Sequence, residues 1–269
     1  IRDDWLARVS EVIVYCVDND MYLVVTINWD GGWWEEHPLY ANQEEVNKKQ
    51  KAIWEQIAVY FRNYDEHLLF AGTNEVHANY NTPTAENIEV QQSYNQTFVD
   101  AVRSTGGKNT WRNLVVQAYN TNITFAKDYM NMPQDAEGID DRLMAEVHYY
   151  DPYDFTLDAN SSIYLWGSEF AGSANVSSWG QEAWVDEAFE IVKTKFVDNN
   201  IPVILGEYCA TLRATLGPAA YANHIKSRNH VLNYVNMKAK EKGMVPFYWD
   251  NGATCNNGSG LFKRATCEQ

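Results

Sequence analysis

Two stretches decide the reading: residues 67–75, HLLFAGTNE, and residues 201–208, IPVILGEY. Each is a short apolar run that reaches a glutamate within a few residues of its last aliphatic side chain. Runs of this length bounded by polar residues read as buried strands. Four more segments have the same form: MYLVVTI at 21–27, NLVVQAY at 113–119, RLMAEVHYY at 142–150 and MVPFYWD at 244–250. Between them lie stretches with helical periodicity, at 3–19, 44–63, 84–104, 179–197 and 218–242. Helix and strand thus alternate along the chain, and uniformly apolar strands in such an alternation predict a parallel sheet covered by helices on its outer side. The irregular stretch from 151 to 178 breaks the rhythm and is rich in aromatic residues, so it reads either as a cleft wall or as a packed excursion.

The strand ends carry the polar chemistry. In chain order they bring Asn28 and Trp29, Asn74 and Glu75, Tyr119 and Asn120, His148 and Tyr150, Glu207 and Tyr208, and Trp249 and Asp250. In a (β/α)8 barrel the catalytic groups sit at the C-terminal strand ends, where rigid strands hold them and the βα loops shape a pocket around them. The fold expected is therefore α/β, a (β/α)8 TIM barrel, with about six βα units visible in this chain. A doubly wound sheet is the alternative, but no GxGxxG or Walker lysine motif supports a nucleotide-binding version of it. Only six strands are countable and the chain opens on a helix. The expectation is a single catalytic barrel domain over residues 1–269, incomplete at its N-terminal side, with a second polypeptide or a further segment supplying the first two units.

Composition narrows the partners. With 21 basic and 36 acidic side chains the formal charge is −15, which opposes dense contact with phosphate backbones and excludes nucleic acid as the expected ligand. No apolar run approaches the length of a membrane span, so no membrane partner is expected. Ten Trp, 17 Tyr and 10 Phe exceed what a core requires, and flat apolar faces suit the rings of sugars. The four cysteines lack the spacing of a zinc site. Any disulfide would most naturally join Cys255 to Cys267, and Cys16 reads as a thiol buried by an amphipathic helix.

Two glutamates three strands apart in the count can face one another across a barrel mouth. Carboxyl groups about 5 Å apart suit retaining glycoside hydrolysis, whereas about 6.5–9.5 Å leaves room for the water of an inverting mechanism. At this point the motifs resemble glycoside hydrolase family 5, the cellulase-type retaining endoglucanases, and in particular those of rumen bacteria and fungi. The family's Asn-Glu after its fourth strand matches Asn74-Glu75 in AGTNEVH, and its nucleophile after the seventh matches Glu207 in PVILGEY. Its His-x-Tyr after the sixth matches His148 and Tyr150 in VHYYDP, and its terminal-strand tryptophan matches Trp249 in PFYWDNG. The resemblance runs from the third strand to GLFKR at 260–264; the family's first two strands and their arginine have no counterpart. A second departure is Asn28, where the family commonly has a histidine. Asparagine still hydrogen-bonds a hydroxyl but does not titrate near neutral pH.

The resemblance implies Glu75 as acid/base and Glu207 as nucleophile, with Asn74 on a sugar hydroxyl and His148 or Tyr150 orienting the centre. It implies Trp249 beneath the sugar being cleaved, and no metal or organic cofactor. Asn28, Trp29 and Trp33 are further substrate-binding candidates, with Trp34 and Trp166 as more distant ones, and His77 and Tyr80 on the leaving-group side. The expected activity is endo-β-1,4-glucanase action on cellulose or mixed-linkage β-glucan. Xyloglucanase, mannanase or xylanase action on the same scaffold is the alternative, as is a glycan-binding protein without turnover. Because such polymers are met outside cells, an extracellular (secreted) protein is expected.

Overall fold

The computed structural model describes residues 1–267. They divide into two compact units, one comprising Ile1–Glu146 with Asn200–Pro202, the other Val147–Asn199 with the chain from Val203 onward.

The first unit alternates helix and strand as the periodicity predicts: α1 Asp3–Val17, β1 Leu23–Thr26, α2 Tyr40–Tyr60, β2 Leu68–Ala71, α3 Ala85–Ser104 and β3 Leu114–Gln117. A short helix that the periodicity did not reveal, α4 Ile123–Tyr129, precedes β4 Leu143–Tyr149, whose last three residues belong to the second unit. Strands β1, β2, β3 and β4 pair in parallel, neighbour to neighbour in chain order. Every residue of β2 and β3 is buried, which explains why these strands are continuously apolar instead of alternating.

Helix α3 is built to support the strand ends. Its start is a reciprocal cap: the Asn87 N–H donates to Thr84 Oγ1 at 3.2 Å, and the Thr84 N–H donates to Asn87 Oδ1 at 3.0 Å. Asn87 Nδ2 also donates to the Pro38 carbonyl at 3.1 Å, tying the helix to the loop that follows β1. Val90, Tyr94 and Phe98 recur at a spacing of four on its buried face, and Gln91 and Asn95 repeat the spacing one residue later. Those two amides both donate to the Gln117 carbonyl, at 2.8 and 2.9 Å, at the end of β3.

The second unit contains α5 Tyr153–Thr156, α6 Glu182–Lys195, β5 Val203–Tyr208, α7 Pro218–Glu241 and β6 Met244–Tyr248. β5 and β6 are parallel, with an irregular register between Leu205 and Tyr208. α7 carries proline in its first turn, where a missing N–H leaves no helical bond unmade. The aromatic stretch after β4 is mixed, with Phe155 fully buried and Tyr153 and Trp179 exposed. Trp166 is fully buried and its indole N–H donates to the Gly180 carbonyl at 2.7 Å.

The fold is therefore α/β with six strands among the described residues, two fewer than a (β/α)8 barrel has. β1 pairs along one edge, with β2, and β6 along one edge, with β5. Six strands do not complete the hydrogen-bonded ring that eight require. Both edge strands are less buried than β2 and β3, with Val245 and Phe247 exposed on β6. All four cysteines are free, so the Cys255–Cys267 pairing is not made; both are exposed, and Cys16 is only half-buried because α1 turns much of its surface outward. Among the described residues no helix is long and apolar enough to cross a membrane.

Candidate active site

In the first unit, the segment after β2 places Asn74 and Glu75. Asn74 is buried and Glu75 half-buried, and Glu75 adopts a left-handed backbone conformation with φ 46°. That conformation is unusual for a residue with a side chain and is stable only where neighbours hold it. Its N–H donates to Gln117 Oε1 at 2.9 Å, and its carbonyl lies 2.6 Å from His77 Nδ1. Further along, the Ala78 N–H donates to the Tyr119 hydroxyl at 2.7 Å and the Asn120 N–H to the Val76 carbonyl at 2.9 Å. The end of β3 thus clamps the segment that carries Glu75. The His77 ring stacks on Tyr80 at 4.5 Å, and Tyr80 is exposed.

The loop after β1 brings a residue that sequence reading passed over. Glu35 lies in the run WWEEH beside an exposed neighbour, Glu36, yet is only 2% exposed itself. Its Oε1 accepts the Trp29 N–H at 2.9 Å and Asn74 Nδ2 at 3.3 Å, and its main-chain carbonyl accepts the His77 N–H at 2.6 Å. Burial raises its carboxyl pKa above the ordinary range, and the charge of Glu75 pushes the same way. Two adjacent glutamates of like chemistry carry no sequence signal to tell the buried one from the solvated one.

The other candidates of this loop are spread out. Asn28 is exposed, and Trp29, at φ 41°, is 57% exposed with its indole available to a ligand. Trp33 is half-buried: its N–H donates to Asp30 Oδ2 at 2.7 Å, Lys49 Nζ sits 3.8 Å from a ring centroid, and the ring stacks on Trp34 at 5.2 Å. Trp34 is fully buried in a cluster with Val46, Val76, Val90 and Tyr94. Neither Trp34 nor Trp166 offers a free face to a sugar, so the expectation of subsites at these two gives way to core packing.

In the second unit, β4 and β5 end in a compact polar group. The Tyr150 hydroxyl donates to Glu207 Oε2 at 2.5 Å, and His148 Nδ1 lies 3.6 Å from the same oxygen. The Glu207 side chain is 12% exposed and that of His148 is 3% exposed, so the carboxylate is held by groups largely withdrawn from water. Beside it, burial lifts the Cys209 thiol to about 12, which keeps the sulfur protonated. Trp249 follows β6; its main-chain N–H donates to the Tyr208 carbonyl at 3.0 Å, and the side chain is 38% exposed. Asp250 and Asn251 are spent on their own loop. Asp250 accepts the Gly252 and Leu261 N–H groups, which hold its carboxyl below the usual range, and Asn251 Oδ1 accepts those of Ala253 and Ser259.

Each unit therefore presents one strand-end glutamate with its own hydrogen-bonded support: Asn74, Gln117, His77 and Glu35 around Glu75, and Tyr150 and His148 around Glu207. Residues 1–254 match the cellulase family, glycosyl hydrolase family 5. The chain is 44% identical over 271 residues to the xyloglucan-specific endo-beta-1,4-glucanase BoGH5A of Bacteroides ovatus, a match spanning 99% of this chain and 52% of that protein. It thus spans about half the length of that curated relative. Among solved structures, the Bacteroides ovatus GH5 xyloglucanase in complex with a XXXG heptasaccharide is similar with a TM-score of 0.93 and 43% identity, covering 100% of this chain and 57% of that one. The family 5 xyloglucanase from Paenibacillus pabuli is similar with a TM-score of 0.90 and 34% identity, covering 98% and 76%. The chain belongs to glycosyl hydrolase family 5, the cellulase family.

Proposed function

We propose that this chain carries the catalytic groups of a retaining endo-β-1,4-glucanase whose preferred substrate is xyloglucan, with Glu75 as acid/base and Glu207 as nucleophile. The observation that carries the assignment is the Tyr150 hydroxyl 2.5 Å from Glu207 Oε2. A hydroxyl that donates to a largely buried carboxylate favours its ionised form and aims its remaining lone pairs, which is what an attacking group needs.

In the proposed reaction Glu207 attacks the anomeric carbon while protonated Glu75 delivers its proton to the departing glycosidic oxygen. Glu75, now ionised, then takes a proton from water as that water opens the glycosyl ester and regenerates Glu207. Retention by this route calls for carboxyl groups about 5 Å apart. Asn74 would hold a hydroxyl of the sugar undergoing cleavage, and the exposed face of Trp249 would stack against its ring.

The substrate assignment moves from cellulose, favoured by sequence reading, to xyloglucan. The support is the similarity to the two xyloglucanases named above, one of them solved in complex with a XXXG heptasaccharide. Both polymers share a β-1,4-glucan backbone, so the same two glutamates serve either, and side-chain contacts along the cleft decide between them. A polymeric substrate places the work outside the cell.

The test is hydrolysis by the intact protein of xyloglucan, carboxymethyl cellulose, mixed-linkage β-glucan, mannan and xylan, with Glu75→Gln and Glu207→Gln as controls. Xyloglucan should give the highest kcat/KM, and both controls should lose turnover. Faster release from mannan or unbranched glucan would overturn the substrate assignment, turnover retained by both controls would overturn the mechanism, and binding without new reducing ends would leave a glycan-binding protein.

A further inference from the structure

Glu35 is a carboxylate of the first unit that is almost wholly buried, bonded to a proposed substrate-binding residue, and without a part in the chemistry above. Placing a carboxylate in such surroundings is costly, and a leucine or methionine would fill the space at lower cost unless the acceptor is needed. Three hydrogen bonds show where it acts. Oε1 accepts the Trp29 N–H and one Asn74 Nδ2 hydrogen, and the Glu35 carbonyl accepts the His77 N–H. These contacts fall on both sides of Glu75 and join its segment to the loop after β1. The second carboxylate oxygen, Oε2, is buried with no hydrogen-bond partner.

Oε1 faces the Trp29 N–H, which can only donate, so this oxygen presents lone pairs. Opposite such a group the Asn74 amide has one tolerable orientation: with Nδ2 toward Glu35 a hydrogen fills the gap, and with the amide turned over two sets of oxygen lone pairs would face each other. We propose that Glu35 is a positioning residue that fixes the orientation of the Asn74 amide, and with it the directions of the second Nδ2 hydrogen and of Oδ1 toward the sugar. This rests on the reading of Asn74 and Glu75 as active-site residues. Glu35 touches no reacting atom; it acts through Asn74.

Both donors share Oε1, so glutamine, whose single oxygen the Trp29 N–H holds in place, still presents an acceptor to Asn74; methionine keeps the length and removes it. The experiment is a double-mutant cycle in the intact protein with an aryl β-cello-oligosaccharide bearing a good leaving group, which keeps slow variants measurable. Glu35→Met should lower kcat about tenfold, equivalent to about 1.4 kcal/mol in the barrier, while Glu35→Gln, which keeps the acceptor, should stay within about threefold of the parent. In an Asn74→Ala background Glu35→Met should alter kcat by less than about twofold, because the residue it works through is gone. Should Glu35→Met fail to fold, Glu35→Asp carries the test, with a smaller loss that again vanishes on Asn74→Ala. A kcat for Glu35→Met within twofold of the parent, or equal losses in both backgrounds, would overturn the proposal, since a merely structural role gives additive effects. Full activity in Asn74→Ala or Glu75→Gln would instead overturn the underlying active-site reading.

Discussion

Replacing Gln117 by methionine tests whether the left-handed turn at Glu75 is held in place by the neighbouring strand. Gln117 is buried at the end of β3, and its side-chain oxygen accepts the Glu75 N–H at 2.9 Å. Its main-chain carbonyl takes the Gln91 and Asn95 amides, contacts that a side-chain change leaves in place. Methionine has nearly the same length and volume, so the substitution removes little besides that acceptor. A donor left unpaired in partly buried surroundings costs about 1–3 kcal/mol. A residue with a side chain at φ 46° holds of order 1 kcal/mol of backbone strain, which the segment regains by relaxing. The expected net loss is about 1–2 kcal/mol, or about 2–8 °C in Tm for a chain of this size. Relaxation is also the functional signal, because a misplacement of about 1 Å at a catalytic group costs about 100-fold in rate. Thermal unfolding followed by circular dichroism, together with kcat on an aryl β-cello-oligosaccharide, measures both. A variant with Tm lowered by less than about 1 °C and kcat within twofold of the parent would refute the reasoning.

Tyr150→Phe removes a charge-assisted hydrogen bond worth about 1.5–3 kcal/mol, so kcat/KM should fall about 10- to 100-fold without loss of folding; a change below twofold would show that the contact does not serve Glu207. Gly72→Ala would place a Cβ 2.4 Å from Cδ1 and 2.6 Å from Cγ of Phe98, a fully buried ring packed edge-on to Trp54. The expected cost is about 3 kcal/mol, and adding Phe98→Ala should give a total well below the sum of the single changes; additive losses in denaturant unfolding would exclude the clash. His67 accounts for one pH effect. Its hydrogen bond to Asp65, and then that to Asp20, holds its pKa above the usual histidine value. The contribution to stability is thus fully present below about pH 6.5 and is lost as pH rises through the raised folded value. His67→Gln should flatten that part of a Tm-against-pH curve, and an unchanged curve would show that the pair contributes nothing.

Much of this was legible along the chain. β2 reads as a strand because LLFA is buried on both faces, and helix α3 declares itself through Thr84 at its cap and Val90, Tyr94 and Phe98 at a helical spacing. Trp34 and Trp166 show the limit of such reading, since an indole that stacks on a sugar and one that fills a core are the same residue until exposure is known. Gln117 shows the converse: it is an unremarkable polar residue at the end of an apolar run, and only its contact with Glu75 gives it a role. Helix α4 escaped because seven residues are too few for periodicity to establish.

The sequence by itself determined the alternation of helix and strand, the strand-end positions of Glu75 and Glu207, and a family resemblance specific enough to name the chemistry. These follow from local pattern, because burial on both faces demands apolar runs and a strand end is where such a run stops. Tertiary structure alone decided that Glu35 is buried while Glu36 is not, that Tyr150 reaches Glu207, and that Glu75 holds a left-handed turn against Gln117. Each of these is a contact between residues distant in sequence, and burial and hydrogen bonding of that kind leave no periodic trace in the chain.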